Sequence, residues 1–527
     1  MIQLIKQFGV DNWLLHLSRL ATLLAGSRHR PGSEYADAFF KYIVPQELTD
    51  KFASWFSDAS RRGNRAFIFS DRHIGILIEL AIRHAPSEAK KEMGPGGSLL
   101  NALLMLVDLD TPPKIPTTTE EWAPVMASLW DRSRLVDPMS ATVRGFHLYQ
   151  IAGREPITSA RKWADLFKRA TGADLERFFL GGLAAFAVEF LKRPDEIARV
   201  FGPLPDKMND GKGGFLTGVP DFYYGLKCGT VEQLACAVAS LEDHANPNEF
   251  NLVPLLKYPL FRDKKGGAHS LFLSGIASSL CEGIYQEVIT ASRECKISES
   301  LQDTGAVFGV LFEEYILDLL EEVFGERLLR NPTRSDNGNE AADGAIIYPQ
   351  GVIILQIKGR HVRMRDRFAW KDHKAKTEDV ERTGLVEAVN QFVDKESLSS
   401  FRRGLVKGLP FAPRSETVLQ PIAITYEAVP LSGLQLPIVK EQRARVQLDS
   451  HTRHLVIMDV REIEAACSLP QRDTFWGVLT EFINSPGWRE RYLANFLCDT
   501  QRLSDGAMFA RWERMLSLLK ERFGIIA

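Results

Sequence analysis

Cysteine is scarce and scattered in this chain: six in 527 residues, with no Cys-x-x-Cys pair and no finger-like spacing. Cys228, Cys236, Cys281, Cys295, Cys467 and Cys498 therefore read as reduced thiols of a cytoplasmic protein, not as a disulfide framework or a zinc module. His361 and His373 have no cysteine beside them, which sets zinc aside. Charge of one sign is also missing. With 65 Lys and Arg against 67 Asp and Glu, the net charge is -2, so attraction to a polyanion has to come from a local basic face.

Long apolar runs are absent as well. The longest uncharged one, "FFLGGLAAFAV" at 178–188, is too short to span a bilayer and is closed by Glu189. At the N-terminus, Lys6, Asp11, His16 and Arg19 interrupt the apolar pattern at helical spacing, which suits an amphipathic helix better than a signal peptide. No membrane partner is expected. Nucleotide and acyl chemistry lack their motifs too. "NDGKGGF" at 209–215 has Asp206 and Gly213 where a Walker A loop needs Gly and Ser or Thr, "MGPGGSLL" at 93–100 lacks the G-x-G-x-x-G spacing, and no G-x-S-x-G elbow occurs. The chain carries no motor of its own.

What is present is an ordinary globular composition, 45% hydrophobic and 25% charged, in a chain long enough for roughly three or four units. Apolar residues recur at three and four spacing through 1–115, as in "FIFSDRHIGILIELAIRHA", until "DTPPKIPTTTEEW" interrupts with prolines that cannot continue a helix. Residues 116–298 again read as mainly helical. From 299 to 470 the texture changes to a long helix, "GAVFGVLFEEYILDLLEEVFG", then "DGAIIY" and "GVIILQIK", a helix in "EDVERTGLVEAVNQFVDKE", then strands in "LQPIAITYEA" and "HLVIMDV". Residues 471–527 return to helix. The expected fold is multidomain, α and α/β: helical N-terminal regions, an α/β unit ordered helix, hairpin, helix, strand, strand, and a helical tail.

Within "DGAIIYPQGVIILQIK" the two-residue period puts Gln356 and Lys358 on one face of their strand. A turn near Pro349, Gln350 and Gly351 pairs the start of the first strand with the end of the second, which brings Asp343 to the same spot. A carboxylate, an amide oxygen and an ammonium together suit a hard cation beside a phosphate. The plain alternatives are an Asp that merely shapes a turn and a Lys that merely reaches solvent.

In this order and spacing the stretch resembles the catalytic hairpin of the PD-(D/E)XK nuclease superfamily, in the variant with Gln at the acidic position found in Mrr-like restriction endonucleases. The resemblance covers about residues 300–470. It implies a restriction-endonuclease-like α/β core and a Mg²⁺- or Mn²⁺-dependent deoxyribonuclease. Asp343, Gln356 and Lys358 match the motif, and Glu313 of "Phe312-Glu313" matches the helix acid that often helps hold the metal. Gln391 in "EAVNQF" sits where some members place a helix Gln. Ala342 replaces the Pro of the motif, and Gln356 removes one carboxylate, a loss that Glu313 or Glu340 has to make up.

Just downstream, Arg360, Arg363, Arg365, Arg367, Lys371, Lys374 and Lys376 outnumber Asp366 and Asp372, and Phe368 and Trp370 lie among them. Such a segment beside a metal site can grip a phosphate backbone and stack on unpaired bases; the alternative is a solvated charged loop. The expected partners are therefore DNA, a second copy of the chain for cutting both strands, and a separate motor or sensor protein. By analogy with other helical proteins fused to such nucleases, the setting is bacterial restriction or anti-phage defence. The competing expectation is a nuclease fold that has lost catalysis and serves as a nucleic-acid-binding or assembly module.

Overall fold

The computed structural model describes residues 1–29, 34–45, 71–88, 96–110, 138–153, 155–191, 219–239, 253–271, 273–294, 301–360, 383–394, 397–409, 416–427, 437–447, 449–469, 472–485, 492–500 and 506–523, with a few isolated residues between them. The proline-rich segment 111–122 expected to divide the helical half lies outside these residues, as does the basic segment 361–382.

Helix α1 (Val10–His29) and helix α2 (Asp71–His84) form the first layer, joined through Trp13, Leu17, Ile74 and Leu77, which recur on one face of each helix and share one apolar cluster. Next come α3 (Pro138–Leu148), α4 (Thr158–Thr171), α5 (Leu175–Leu191), α6 (Leu273–Ser279) and α7 (Glu282–Glu294). In α4 the buried residues Ala160, Trp163 and Phe167 keep the three and four spacing, and Gly172, left-handed at φ 73°, ends the helix. The "FFLGGLAAFAV" run lies inside α5. Among the described residues no helix is long and apolar enough to cross a membrane.

The helical half also holds a small sheet that the apolar pattern did not predict: β1 (Cys228–Thr230), β2 (Leu260–Arg262) and β3 (Ala268–Ser270), parallel then antiparallel. Three-residue strands are shorter than any periodicity can register.

Helix α8 (Leu301–Phe324) opens the α/β unit. The sheet that follows has five strands, β4 (Leu328–Arg330), β5 (Gly344–Tyr348), β6 (Gly351–Lys358), β7 (Val418–Thr425) and β8 (Val456–Asp459), in the spatial order β8-β7-β6-β5-β4. The β4-β5 and β5-β6 pairs are antiparallel; β6-β7 and β7-β8 are parallel. Parallel neighbours need a crossover. Helix α9 (Leu385–Val393) supplies it between β6 and β7, and α10 (Pro437–Val446) between β7 and β8. The expected order of strand directly after strand is thus corrected: α10 separates them.

Both faces of the sheet are covered, so β6 is buried at all eight positions and reads as an unbroken apolar run. Ile353, Leu355 and Ile357 share a cluster with Phe312 and Leu317 of α8, whereas Val352 and Ile354 share another with Leu385, Ala388 and Val389 of α9. Each such aliphatic side chain contributes about 1.5–3 kcal/mol on burial.

The apolar core does not stop at residue 298 or 470. One cluster holds Phe146, Trp163 and Phe179 of the helical half, Phe308 and Phe312 of α8, and Met515 and Leu519 of the tail helix α13 (Gly506–Phe523), which follows α11 (Val460–Cys467) and α12 (Arg472–Asn484). A buried polar tie crosses the same boundaries. Arg144 of α3 grips Glu464 of α11 with two hydrogen bonds of 2.7 Å, and the Tyr315 hydroxyl of α8 donates to the same carboxylate at 2.7 Å. Arg511 of α13 lies over the Tyr315 ring, 5.3 Å from its centre, and pairs with Glu322 at 3.1 Å.

Removing Arg144 leaves a buried carboxylate without its cation. Arg144→Ala is expected to cost about 3–5 kcal/mol in urea unfolding, and Arg144→Met with Glu464→Met less than either change alone. A loss below about 1 kcal/mol for the single change would show that the pair does not hold these helices.

Candidate active site

The hairpin turn decides where the polar residues go. Tyr348 pairs with Gly351 across Pro349 and Gln350, and Gly344 pairs with Leu355, so the register carried one step further sets Asp343 opposite Gln356. Lys358, two residues on, leaves the same face. The three residues expected to converge do so: they are 6%, 2% and 8% exposed, and the Lys358 ammonium lies 3.1 Å from Asp343 Oδ2.

The Lys358 ammonium also donates to the Ile357 carbonyl at 3.0 Å, and the Ile357 backbone N–H donates to Asp343 Oδ2 at 2.5 Å. Both donors to the Asp343 side chain fall on the same oxygen. The main chain at Lys358 is fixed from the neighbouring strand, where the Tyr426 N–H donates to its carbonyl at 3.1 Å. Gly384, left-handed at φ 89°, caps the start of α9 directly over the Lys358 stem. A methyl group there would lie 2.7 Å from Lys358 Cβ.

Gln356 carries the most informative defect. Its side-chain oxygen is buried and has no hydrogen-bond partner among the described residues. A lone buried acceptor costs roughly 1–3 kcal/mol, which favours any donor or cation that reaches it.

Glu313, half-buried on α8, lies near enough to this end of the sheet for the charges there to act on it. Burial first, then the nearby charges of Asp343 and Glu340, push its carboxyl up to about 7, against the opposing pull of Lys358. Burial and neighbouring carboxylates both disfavour the charged form of this group, and a positive charge beside it would restore it. Among the described residues no cluster of three His, Cys, Asp or Glu side chains gathers as a metal site. The donor set is instead two carboxylates and one orphaned amide oxygen, all oxygen, and it fits a hard divalent ion such as Mg²⁺ or Mn²⁺.

The remaining expected residues are placed less closely. Arg360 is exposed and pairs with Glu387 of α9, a solvent contact of little energetic weight. Gln391 lies on α9 seven residues past Gly384, about 10 Å along the helix axis from the Lys358 contact, and its buried side-chain oxygen has no hydrogen-bond partner among the described residues. Arg363, Arg365, Arg367, Lys371 and Lys374 lie outside the described residues.

One neighbour escaped the sequence reading. Asn331, just after β4, is left-handed at φ 45°, and its backbone N–H donates to the Asp343 carbonyl at 3.1 Å. With its side-chain amide turned to satisfy its surroundings, the NH₂ group donates to Glu313 Oε1 at 3.2 Å and to the Asp343 carbonyl at 2.8 Å. The Asn-Pro dipeptide after the short run "LLR" was the available signal, since Asn tolerates this conformation and Pro ends the strand.

Because the Glu313 carboxyl sits near 7 in the fold and near 4.5 when unfolded, its ionisation weighs on the native state. Its stabilising share is whole below about pH 4.5 and lost as the pH rises through 7. Glu313→Gln is therefore expected to melt with wild type at low pH and increasingly above it between about pH 5 and 8; a constant difference across that range would exclude the elevated carboxyl. No protein-family model, no curated protein and no solved structure matches this chain.

Proposed function

We propose that this protein is a metal-dependent endonuclease of the PD-(D/E)XK type that hydrolyses phosphodiester bonds in DNA. The observation that carries the reading is the convergence of Asp343, Lys358 and the Gln356 oxygen, unpaired among the described residues, at one end of a double-covered sheet, with Glu313 on α8 near enough to feel their charges.

Asp343, Gln356 through Oε1, and Glu313 would hold the metal. When bound, a divalent cation polarises the scissile phosphate and lowers the pKa of the attacking water. The chain's own part is positioning. The Ile357 N–H fixes one Asp343 oxygen, and Gly384 keeps the space in which the Lys358 stem lies. The Lys358 ammonium would face the phosphate oxygens, where charge develops, or orient the water. Cutting both strands asks for two such sites, which a homodimer supplies. The role in bacterial restriction or anti-phage defence follows from the same resemblance, as does delivery by a separate motor or sensor protein.

A second reading, a nuclease fold that binds nucleic acid without cutting it, draws on two particulars. Lys358 already neutralises Asp343, and an amide stands where a second carboxylate would add charge. One experiment separates the two readings. Purified protein is incubated with supercoiled plasmid and with linear duplex in Mg²⁺ or Mn²⁺, beside Lys358→Ala and an EDTA control. Cleavage that EDTA stops and that Lys358→Ala slows by roughly a hundredfold or more supports the endonuclease. Binding of DNA with no cleavage under any metal supports the second reading.

A further inference from the structure

Glu313 on α8 and Asp343 just before β5 lie close enough for their charges to act on one another, and like charges do not stay together unaided. Something has to hold them. The β4-β5 register pairs Arg330 with Gly344, and one step further Asn331 faces Asp343. With the amide turned so that its NH₂ group faces these acceptors, it donates to both partners, Glu313 Oε1 at 3.2 Å and the Asp343 carbonyl at 2.8 Å, beside the backbone bond of 3.1 Å.

We propose that Asn331 is a positioning residue that clamps the Glu313 carboxylate to the Asp343 backbone and so assembles the two acids into one metal-binding pair. The inference rests on the metal-site reading above.

Residue chemistry narrows what could stand here. The backbone is left-handed at φ 45°, a conformation that costs most residues energy and suits Gly, Asn and Asp. Gly would have no side chain to bridge with, and Asp would add a third negative charge. Lys or Arg would bring a cation that competes with the metal. Asn combines tolerance of the backbone with a neutral donor.

The surroundings hold this position on purpose-built contacts. Arg330, the residue before, binds Glu314, Asp318 at 2.8 Å and Glu321 at 2.7 Å, all on α8, which keeps the end of β4 against the helix that bears Glu313. Pro332, the residue after, accepts from the Ala341 N–H at 2.7 Å. Strain kept in a non-glycine residue and supported on both sides is characteristic of functional sites.

The test uses the full chain with Asn331→Gly, Glu313→Ala and both together. Glycine keeps the left-handed backbone and removes only the amide. Mn²⁺ uptake is followed by the electron paramagnetic resonance of the free ion, and thermal midpoints are taken without metal. Asn331→Gly is expected to weaken Mn²⁺ binding roughly tenfold, and the double variant to bind no more weakly than Glu313→Ala alone. The two metal-free midpoint shifts are expected not to add. Unchanged Mn²⁺ affinity in Asn331→Gly, or losses that add in full, would overturn the assignment. If wild type takes up no Mn²⁺, the metal-site reading falls, and the clamp is judged on the metal-free midpoints: additive shifts overturn it and non-additive shifts uphold it.

Discussion

The register of the β5-β6 hairpin is the constraint on which the rest depends. A two-residue turn at Pro349 and Gln350 fixes every pair behind it, from Tyr348 with Gly351 to Gly344 with Leu355. A slip of one residue would carry Gln356 and Lys358 beneath the aromatic side of α8 and move Leu355 and Ile357 to the side of α9. Double burial makes that slip prohibitive, because a Lys and a Gln would then be desolvated against Phe312 and Leu317 with nothing to bind. The apolar packing of the sheet thus specifies where its few polar residues stand.

Charge, given that placement, is balanced by unlike groups. Lys358 answers Asp343 directly, the amide of Asn331 answers Glu313 without adding charge, and Gln356 offers an oxygen that costs no electrostatic repulsion. A site with three carboxylates would hold a cation more strongly and repel itself more strongly when empty.

The hairpin, its turn and the convergence of Asp343, Gln356 and Lys358 were legible in the sequence because strand period and turn chemistry are local. So were the long helices: α8 and α9 announce themselves through apolar spacing. Asn331 was hidden, since nothing in "LLRNPT" says that its amide will meet a helix carboxylate from elsewhere in the chain. The three-residue strands β1 to β4 carry too few residues for a period. Helix α10 was missed for another reason. "PIVKEQRARV" is dominated by charge and buries only a narrow stripe, so its existence follows from the need for a crossover rather than from its own pattern.

Helix α8 is a party wall. Glu313 and Tyr315 are two residues apart, which turns them about 200° around the axis, so one faces the sheet end and the other the buried carboxylate gripped by Arg144. The same helix presents Phe308 and Phe312 to the aromatic layer it shares with the helical half. A gene rearrangement that moved residues 299–470 alone onto a new partner would carry the hairpin but strip α8 of its lining on the far side. The fold of this site is then tied to the helices between 138 and 294 and to the tail helix that share its core cluster.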